Sequence, residues 1–233
     1  AGDANYEASS DSKTFTIGKA TASINIVAYS GIYDGQPHSA SGTATGVNNE
    51  DLSHLLSLGE SFTNVPGGTA NWEFSGNTNY NPDNGTAAIA IAKASATIAL
   101  DNLTHTYDGA AKPATATTSP ADLTGVTLSY KPAGAEDNTY TTTAPVNAGK
   151  YDVRAVLDNP NYEAAAVTEV LTINKATQTI TWNTPEAITY GTALSVAQLN
   201  AAVSTGDGAL SYSPAAGTVL NAGQGQTLSV TAA

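Results

Sequence analysis

Apolar and polar residues alternate with a period of two along most of the chain, which places every second side chain on one face of a β-strand. Gly, Pro and Asn, which favour turns, separate these segments. Residues 97–100, 151–156 and 179–182 show the alternation most clearly. Only residues 50–58 and 195–203 have a spacing that could form one or two helical turns. The pattern therefore predicts an all-β fold.

One strand motif occurs three times, and each copy begins with an Asn-Tyr pair and ends with Lys-Ala. The copies begin at Asn5, Asn79 and Asn161, which are 74 and 82 residues apart. Each strand carries two apolar residues in alternation: Phe15 and Ile17, Ile89 and Ile91, and Leu171 and Ile173. A second motif, in which Tyr precedes a Gly-containing turn, occurs at Tyr33, Tyr107 and Tyr190. Repetition at this period indicates tandem modules.

The repeat divides the chain into module 1 (residues 21–94), module 2 (95–176) and module 3 (177–233), preceded by residues 1–20. Module 3 stops before any Asn-Tyr strand, whereas residues 1–20 contain one. Val153 precedes Asn161 by eight positions, and the same spacing separates Val230 from Asn5 when the sequence is continued from residue 233 to residue 1. We therefore expect residues 1–20 to be the closing strand of a module 3.

Two arrangements satisfy this expectation. The modules can belong to a longer covalent array, in which each unit continues into the next. Alternatively, residues 1–20 of one copy complete module 3 of a neighbouring copy by donor-strand complementation. The residues predicted to form this inter-unit strand are Asn5, Tyr6, Phe15 and Ile17.

The composition excludes several classes of function. Eight Lys and Arg stand against twenty Asp and Glu, so the chain has a formal charge of −12 and no basic cluster. Nucleic-acid binding requires neutralisation of phosphates, so we expect no nucleic-acid partner. No run of eighteen apolar residues occurs, so we expect no membrane insertion in this segment. The absence of Cys excludes disulfides and thiolate metal sites.

The motifs resemble those of a known family. Residues 33–40, 64–68 and 79–82, with 180–185 and 188–195, resemble the YDG and MBG-type repeats of large bacterial surface proteins. The resemblance implies an exported, adhesin-like protein at the bacterial cell surface, with no catalytic residues. It also implies three tandem immunoglobulin-like β-sandwich modules, placed end to end. The two stretches with helical spacing leave a β-grasp-like module with one short helix as the alternative.

Candidate chemistry is sparse. His38, His54 and His105 occupy non-equivalent places and accompany no nucleophile motif, so we expect no enzyme activity and no cofactor. Oxygen-bearing side chains make Ca2+ a candidate ion for the module junctions, although none of these groups follows the spacing of an EF-hand. The candidate ligands for Ca2+ are the pairs Asp158-Asn159 and Asp83-Asn84 and the run Asn49-Glu50-Asp51.

Two functions follow from these observations. The first is a structural repeat segment of a fibre or adhesin stalk, joined head to tail to copies of itself or to flanking repeats. In this interpretation Lys19, Lys93 and Lys175 are exposed cations at the module junctions. The second is an adhesin module that binds a glycan or a host surface protein through the non-repeated segment 132–144, because irregular loops on rigid scaffolds often carry recognition. The candidate residues in that loop are Glu136, Asp137 and Tyr140.

Overall fold

The computed structural model describes residues 4–206 and 208–232, and this part of the chain is all β. It contains eighteen strands, two 3-10 turns and no α-helix. Within it, no helix has the length and apolar character needed to cross a membrane. By Cα proximity the chain divides into two compact units. One holds the described residues up to Asp101 with Ala116–Leu128 and Arg154–Thr168, and the other holds the remainder.

Module 1 contains a two-stranded and a four-stranded sheet. β1 (Ser23–Val27) pairs antiparallel with β3 (Ser41–Thr45). The larger sheet contains β2 (Tyr29–Ile32), β4 (Leu56–Ser57), β5 (Gly67–Phe74) and β6 (Asp83–Ala92), in the order β2-β6-β5-β4. The closing strand β6 therefore lies inside the sheet, parallel to β2 and antiparallel to β5.

Alternation along β6 gives the strand one buried and one exposed face. Ala87, Ile89 and Ile91 are buried, while the residues between them are exposed. Ile89 and Ile91 pack in one apolar cluster with Ala70 of β5. A strand that buries one face and pairs with a neighbour on each side leaves no unpaired edge of its own.

Module 2 repeats this arrangement. After the short β7 (Ala94–Ser95), β8 (Thr97–Asp101) pairs with β10 (Thr115–Ser119). The four-stranded sheet has the order β11-β12-β14-β9. Its strands are β9 (Thr104–Thr106), β11 (Val126–Pro132), β12 (Gly149–Leu157) and the closing strand β14 (Val167–Asn174), and β13 (Tyr162–Glu163) precedes β14. Leu171 and Ile173 on β14 are 0% and 2% exposed, which matches the burial of Ile89 and Ile91.

Module 3 contains two separate antiparallel pairs. β15 (Thr179–Thr181) pairs with β16 (Ala202–Thr205), and β17 (Leu210–Ser213) pairs with β18 (Ser229–Ala232). Residues 186–189, which are equivalent to β2 and β9, form no strand. The described residues of module 3 thus form no four-stranded sheet.

The all-β prediction is confirmed. The β-grasp alternative required a short α-helix. Residues 50–58 contain a 3-10 turn at Ser53–Leu55 followed by β4, and residues 195–203 form turns and the start of β16. The other 3-10 turn is Asp137–Thr139. Immunoglobulin-like packing and the predicted module boundaries stay predictions.

Candidate functional site

The Lys-Ala sequences at residues 19–20 and 93–94 dock on the Asn-Tyr turn of the module that follows. In module 1, the Ala20 N–H donates to the Asn79 carbonyl at 2.8 Å, and Ala20 forms a parallel bridge with Tyr80. After module 1, the Ala94 N–H donates to the Asn161 carbonyl at 3.0 Å, and Ala94 pairs in parallel with Tyr162. The same backbone contact therefore occurs at two successive junctions.

The Asn-Tyr turn is held by an asparagine two residues earlier. The Oδ1 atom of Asn159 accepts hydrogen bonds from the N–H groups of Asn161 and Tyr162, at 3.0 and 3.1 Å. Asn77 does the same for Asn79 and Tyr80, at 2.8 and 3.0 Å. A short amide side chain that binds backbone N–H groups ahead of it is a common way to stabilise a turn.

Side chains reinforce the junction between modules 1 and 2. The Asn161 side chain accepts the Val65 N–H at 3.0 Å and donates to Asn64 Oδ1 at 2.9 Å. The rings of Tyr33 and Tyr162 meet edge to face, 5.4 Å apart. Tyr33 therefore contacts the next module's Asn-Tyr turn.

The prediction of exposed junction lysines is wrong for Lys93. Its ammonium group donates to the Asn159 carbonyl at 2.6 Å, and the side chain is half-buried. The partner lies 66 residues further along the chain, so local sequence does not reveal it. Lys19 and Lys175 are exposed, as expected.

Module 3 contains an open cleft where modules 1 and 2 have their closing strand. The cleft has a volume of about 780 Å³ and is lined by residues 182–190 and 220–228, with Thr192, Leu194 and Gln198. One wall contains residues 186–189, the equivalent of β2 and β9, and the other leads into β18, the equivalent of β5 and β12. In the complete modules the closing strand lies between these two elements.

Residues 4–19 carry the closing-strand motif but form no strand. Phe15 and Ile17 are 84% and 82% exposed, although their equivalents in β6 and β14 are at most 3% exposed. Tyr6 is 76% exposed, whereas Tyr80 is 3% exposed, and Asn5 is also exposed. Residues 1–3 of the predicted segment lie outside the described residues. The structure thus contains an exposed strand motif and, in module 3, a cleft at the position which that motif occupies elsewhere.

The candidate ligand loop 132–144 is anchored by a lysine that sequence reasoning missed. Lys131 is 9% exposed and donates to Asp137 Oδ1 at 2.8 Å, and its ammonium lies 5.1 Å from the centre of the Tyr140 ring. The hydrogen bond to Asp137 raises the pKa of Lys131. Glu136 is exposed. Two of the three candidate residues therefore hold the loop in place, and ligand binding by this loop stays a prediction.

Several of the candidate calcium ligands accept hydrogen bonds from other groups of the chain. The Glu50 carboxylate accepts a hydrogen bond from the Tyr80 hydroxyl, which lowers the pKa of Glu50 and raises that of Tyr80. Asp51 and Asp83 accept backbone N–H groups from Ser53 and Asn84, both at 2.9 Å. Among the residues that the structure describes, no three His, Asp or Glu side chains converge on a metal position. The expectation of no cofactor, with Ca2+ as the alternative, stays a prediction.

A comparison with protein families identifies the second module. Residues 96–177 match the model of the MBG domain, and this range coincides within one residue at each end with the predicted module 95–176. The match confirms the resemblance to an MBG-type module for this part of the chain. No match was found among curated proteins.

Proposed function

We propose that this chain is a structural, non-catalytic repeat segment of a bacterial extracellular or cell-surface fibre or adhesin stalk. Its modules join head to tail, and residues 1–20 of one copy close module 3 of another. The observation that carries the proposal is the cleft in module 3 together with the exposed strand motif at Phe15 and Ile17. The MBG match supports the surface location, and the excess of acidic over basic residues supports a partner other than nucleic acid or an anionic membrane.

The two complete modules define the register of the added strand. Gly31 pairs with Ile91 in module 1, and His105 pairs with Ile173 in module 2. The equivalent residues in the proposed contact are Ile188 of one copy and Ile17 of the other. The incoming strand runs parallel to residues 186–189 and antiparallel to β18, which restores the strand order of modules 1 and 2.

Strand addition supplies two contributions to affinity. Main-chain hydrogen bonds form along both edges of the incoming strand, and alternate side chains enter the cleft. Full burial of Phe15 and Ile17 contributes about 1.5–3 kcal/mol for each side chain. Residues 186–189 gain the parallel neighbour that β2 and β9 already have.

A pair of variants tests the proposal. Ile17→Asp places a charge on the face of the strand that enters the cleft, while Ile17 is 82% exposed in the single chain, so its fold is preserved. Val196→Asp is the matched control, because Val196 is 83% exposed but lies in a turn of module 3. Light scattering and electron microscopy over increasing protein concentration measure assembly.

We expect linear filaments from the native chain and from Val196→Asp, and single copies from Ile17→Asp. A labelled synthetic peptide of residues 1–20 should bind the Ile17→Asp chain, whose cleft is intact. A native chain that stays monomeric and a peptide that fails to bind would both contradict head-to-tail strand addition. Filaments that Ile17→Asp leaves unchanged would also contradict it.

A further inference from the structure

A second cavity lies where the Asn-Tyr turn of an added strand would dock. It has a volume of about 460 Å³ and is lined by residues that include Tyr107, Lys175, Ala176 and Thr177. At the preceding junction, the equivalent positions are Tyr33, Lys93, Ala94 and Ser95. There the turn that contains Tyr162 covers them.

The turn that contains Tyr107 forms the same hydrogen bonds as the turn that contains Tyr33. The N–H groups of both tyrosines donate to the closing strand of their own module at 2.9 Å, Tyr33 to Ala92 and Tyr107 to Asn174. In both turns the following aspartate accepts the N–H two residues ahead, also at 2.9 Å. Each aspartate also contacts a basic side chain four residues on: Asp34 contacts His38 and Asp108 contacts Lys112.

The difference between the two tyrosines lies in what covers the ring. Tyr33 is half-buried and meets Tyr162, whereas Tyr107 is 39% exposed at the cavity. Tyr162 has its sequence equivalent in Tyr6, which is itself 76% exposed. Two rings that pack edge to face need the same separation and angle wherever they occur. The observed pair Tyr33–Tyr162 is therefore the template for a pair of Tyr107 with Tyr6.

We infer that this cavity binds the Asn5-Tyr6-Glu7 turn of a second copy. The Ala176 N–H donates to the Asn5 carbonyl of that copy, as Ala94 donates to Asn161, and the Tyr6 ring meets Tyr107 edge to face. The inference rests on the proposed strand addition and adds a second, separate contact to it. The added segment is thus held at two places, by Phe15 and Ile17 in the cleft and by Tyr6 beside Tyr107.

The two contacts have different roles. The cleft binds a strand with alternating apolar residues, so Phe15 and Ile17 determine which face of the added strand points inward. The turn carries one tyrosine at a fixed distance from the strand. Docking of this tyrosine beside Tyr107 therefore fixes the register and favours this segment over other alternating strands.

A double-mutant cycle tests the inference on the full chain. The acceptor is the Ile17→Asp chain, with or without Tyr107→Ala, and the probes are labelled peptides of residues 1–20 with or without Tyr6→Ala. Val196→Ala in the acceptor is the control, because Val196 is 83% exposed in a turn of module 3 and lines neither the cleft nor this cavity. Slowed amide exchange at Ala176 on peptide binding provides a second measurement, which does not depend on the folding of any tyrosine variant.

We expect Tyr6→Ala to weaken peptide binding to the acceptor that retains Tyr107 by roughly two- to tenfold, the range for an aromatic pair. On the Tyr107→Ala acceptor the same change should have little effect, and Val196→Ala should leave peptide binding unchanged. The inference would be overturned if the peptide binds but Tyr6→Ala weakens its affinity equally on both acceptors. It would also be overturned if peptide binding leaves amide exchange at Ala176 unchanged. Either result would leave the cleft contact standing. A complete absence of peptide binding would instead contradict the proposed function itself.

Discussion

Ile17 and Ile91 occupy equivalent positions in two copies of one strand motif, but Ile17 is 82% exposed and Ile91 is 3% exposed. Replacement of a buried isoleucine by alanine costs about 2–5 kcal/mol, because apolar contacts are lost and a cavity remains. We therefore expect Ile91→Ala to destabilise module 1 by that amount. Ile17→Ala should leave the unfolding of the single chain unchanged and weaken association between copies by a similar free energy, which corresponds to about 30-fold or more in Kd.

The two tryptophans allow the effect on stability to be measured in module 1 and the effect on association to be measured in module 3. Trp72 lies on β5 of module 1, and Trp182 lines the cleft of module 3. Urea unfolding followed through Trp72 reports the loss caused by Ile91→Ala, and titration of the Ile17→Asp chain with peptides of residues 1–20, followed through Trp182, reports the loss caused by Ile17→Ala.

Thr16→Ala is the control in the peptide, because the equivalent residue Ala90 points to solvent. We expect its affinity to equal that of the native peptide. Equal affinities for the native and Ile17→Ala peptides would refute the idea that Ile17 is buried in the cleft. So would a loss of stability in the single chain on Ile17→Ala, since that would place Ile17 in a core of its own chain.

Three further outcomes are expected. The hydrogen bond between Glu50 and Tyr80 should stabilise module 1 at pH values between the ordinary pKa of a glutamate and that of a tyrosine. This contribution is lost as pH falls through the lowered pKa of Glu50 or rises through the raised pKa of Tyr80. Tyr80→Phe should therefore weaken the dependence of urea-unfolding stability on pH at both ends of this range, and an unchanged dependence would contradict this. Asn159→Ala should lower the free energy of unfolding, measured in urea, by about 1–3 kcal/mol, because two backbone N–H groups of the turn lose their acceptor. Asn159→Asp keeps an acceptor oxygen and should restore much of this stability. Equal losses from the two variants would show that the acceptor oxygen does not stabilise the turn. Tyr140→Ala should lower the melting temperature because the ring beside the Lys131 ammonium is lost, and it should neither create nor remove a signal on a glycan array. An array signal that Tyr140→Ala abolishes would instead favour the ligand-binding function.

Sequence reasoning predicted the strands well where burial follows a local period. The alternation at Ile89 and Ile91, and at Leu171 and Ile173, correctly indicated two buried closing strands, because in a strand the side-chain direction depends only on the position along the chain. The third copy, at Phe15 and Ile17, has the same pattern but lies exposed outside any strand. Burial of such a strand depends on a partner that its own sequence does not specify.

The contacts of the site were harder to predict, because they join residues far apart in the chain. Lys93 reaches Asn159 and Tyr33 meets Tyr162, and each partner belongs to the next module. The repeat located Lys93, Tyr33 and Tyr162, and Asn159 was named only as a candidate calcium ligand, so neither observation indicated that these residues touch. Lys131 lies just before a non-repeated loop, so no second copy marked it as structural.

The chain can be rearranged so that the added strand and the cleft belong to one molecule. In a variant in which residues 1–20 follow residue 233, Val230 and Asn5 are separated by the same eight positions as Val153 and Asn161, so no linker is needed. Amide hydrogen exchange measured by NMR on this permuted chain tests strand closure directly. We predict strong protection at residues 14–18, comparable with that of β14, in a chain that stays monomeric. Rapid exchange at these residues, with Phe15 and Ile17 still open to solvent, would contradict the account.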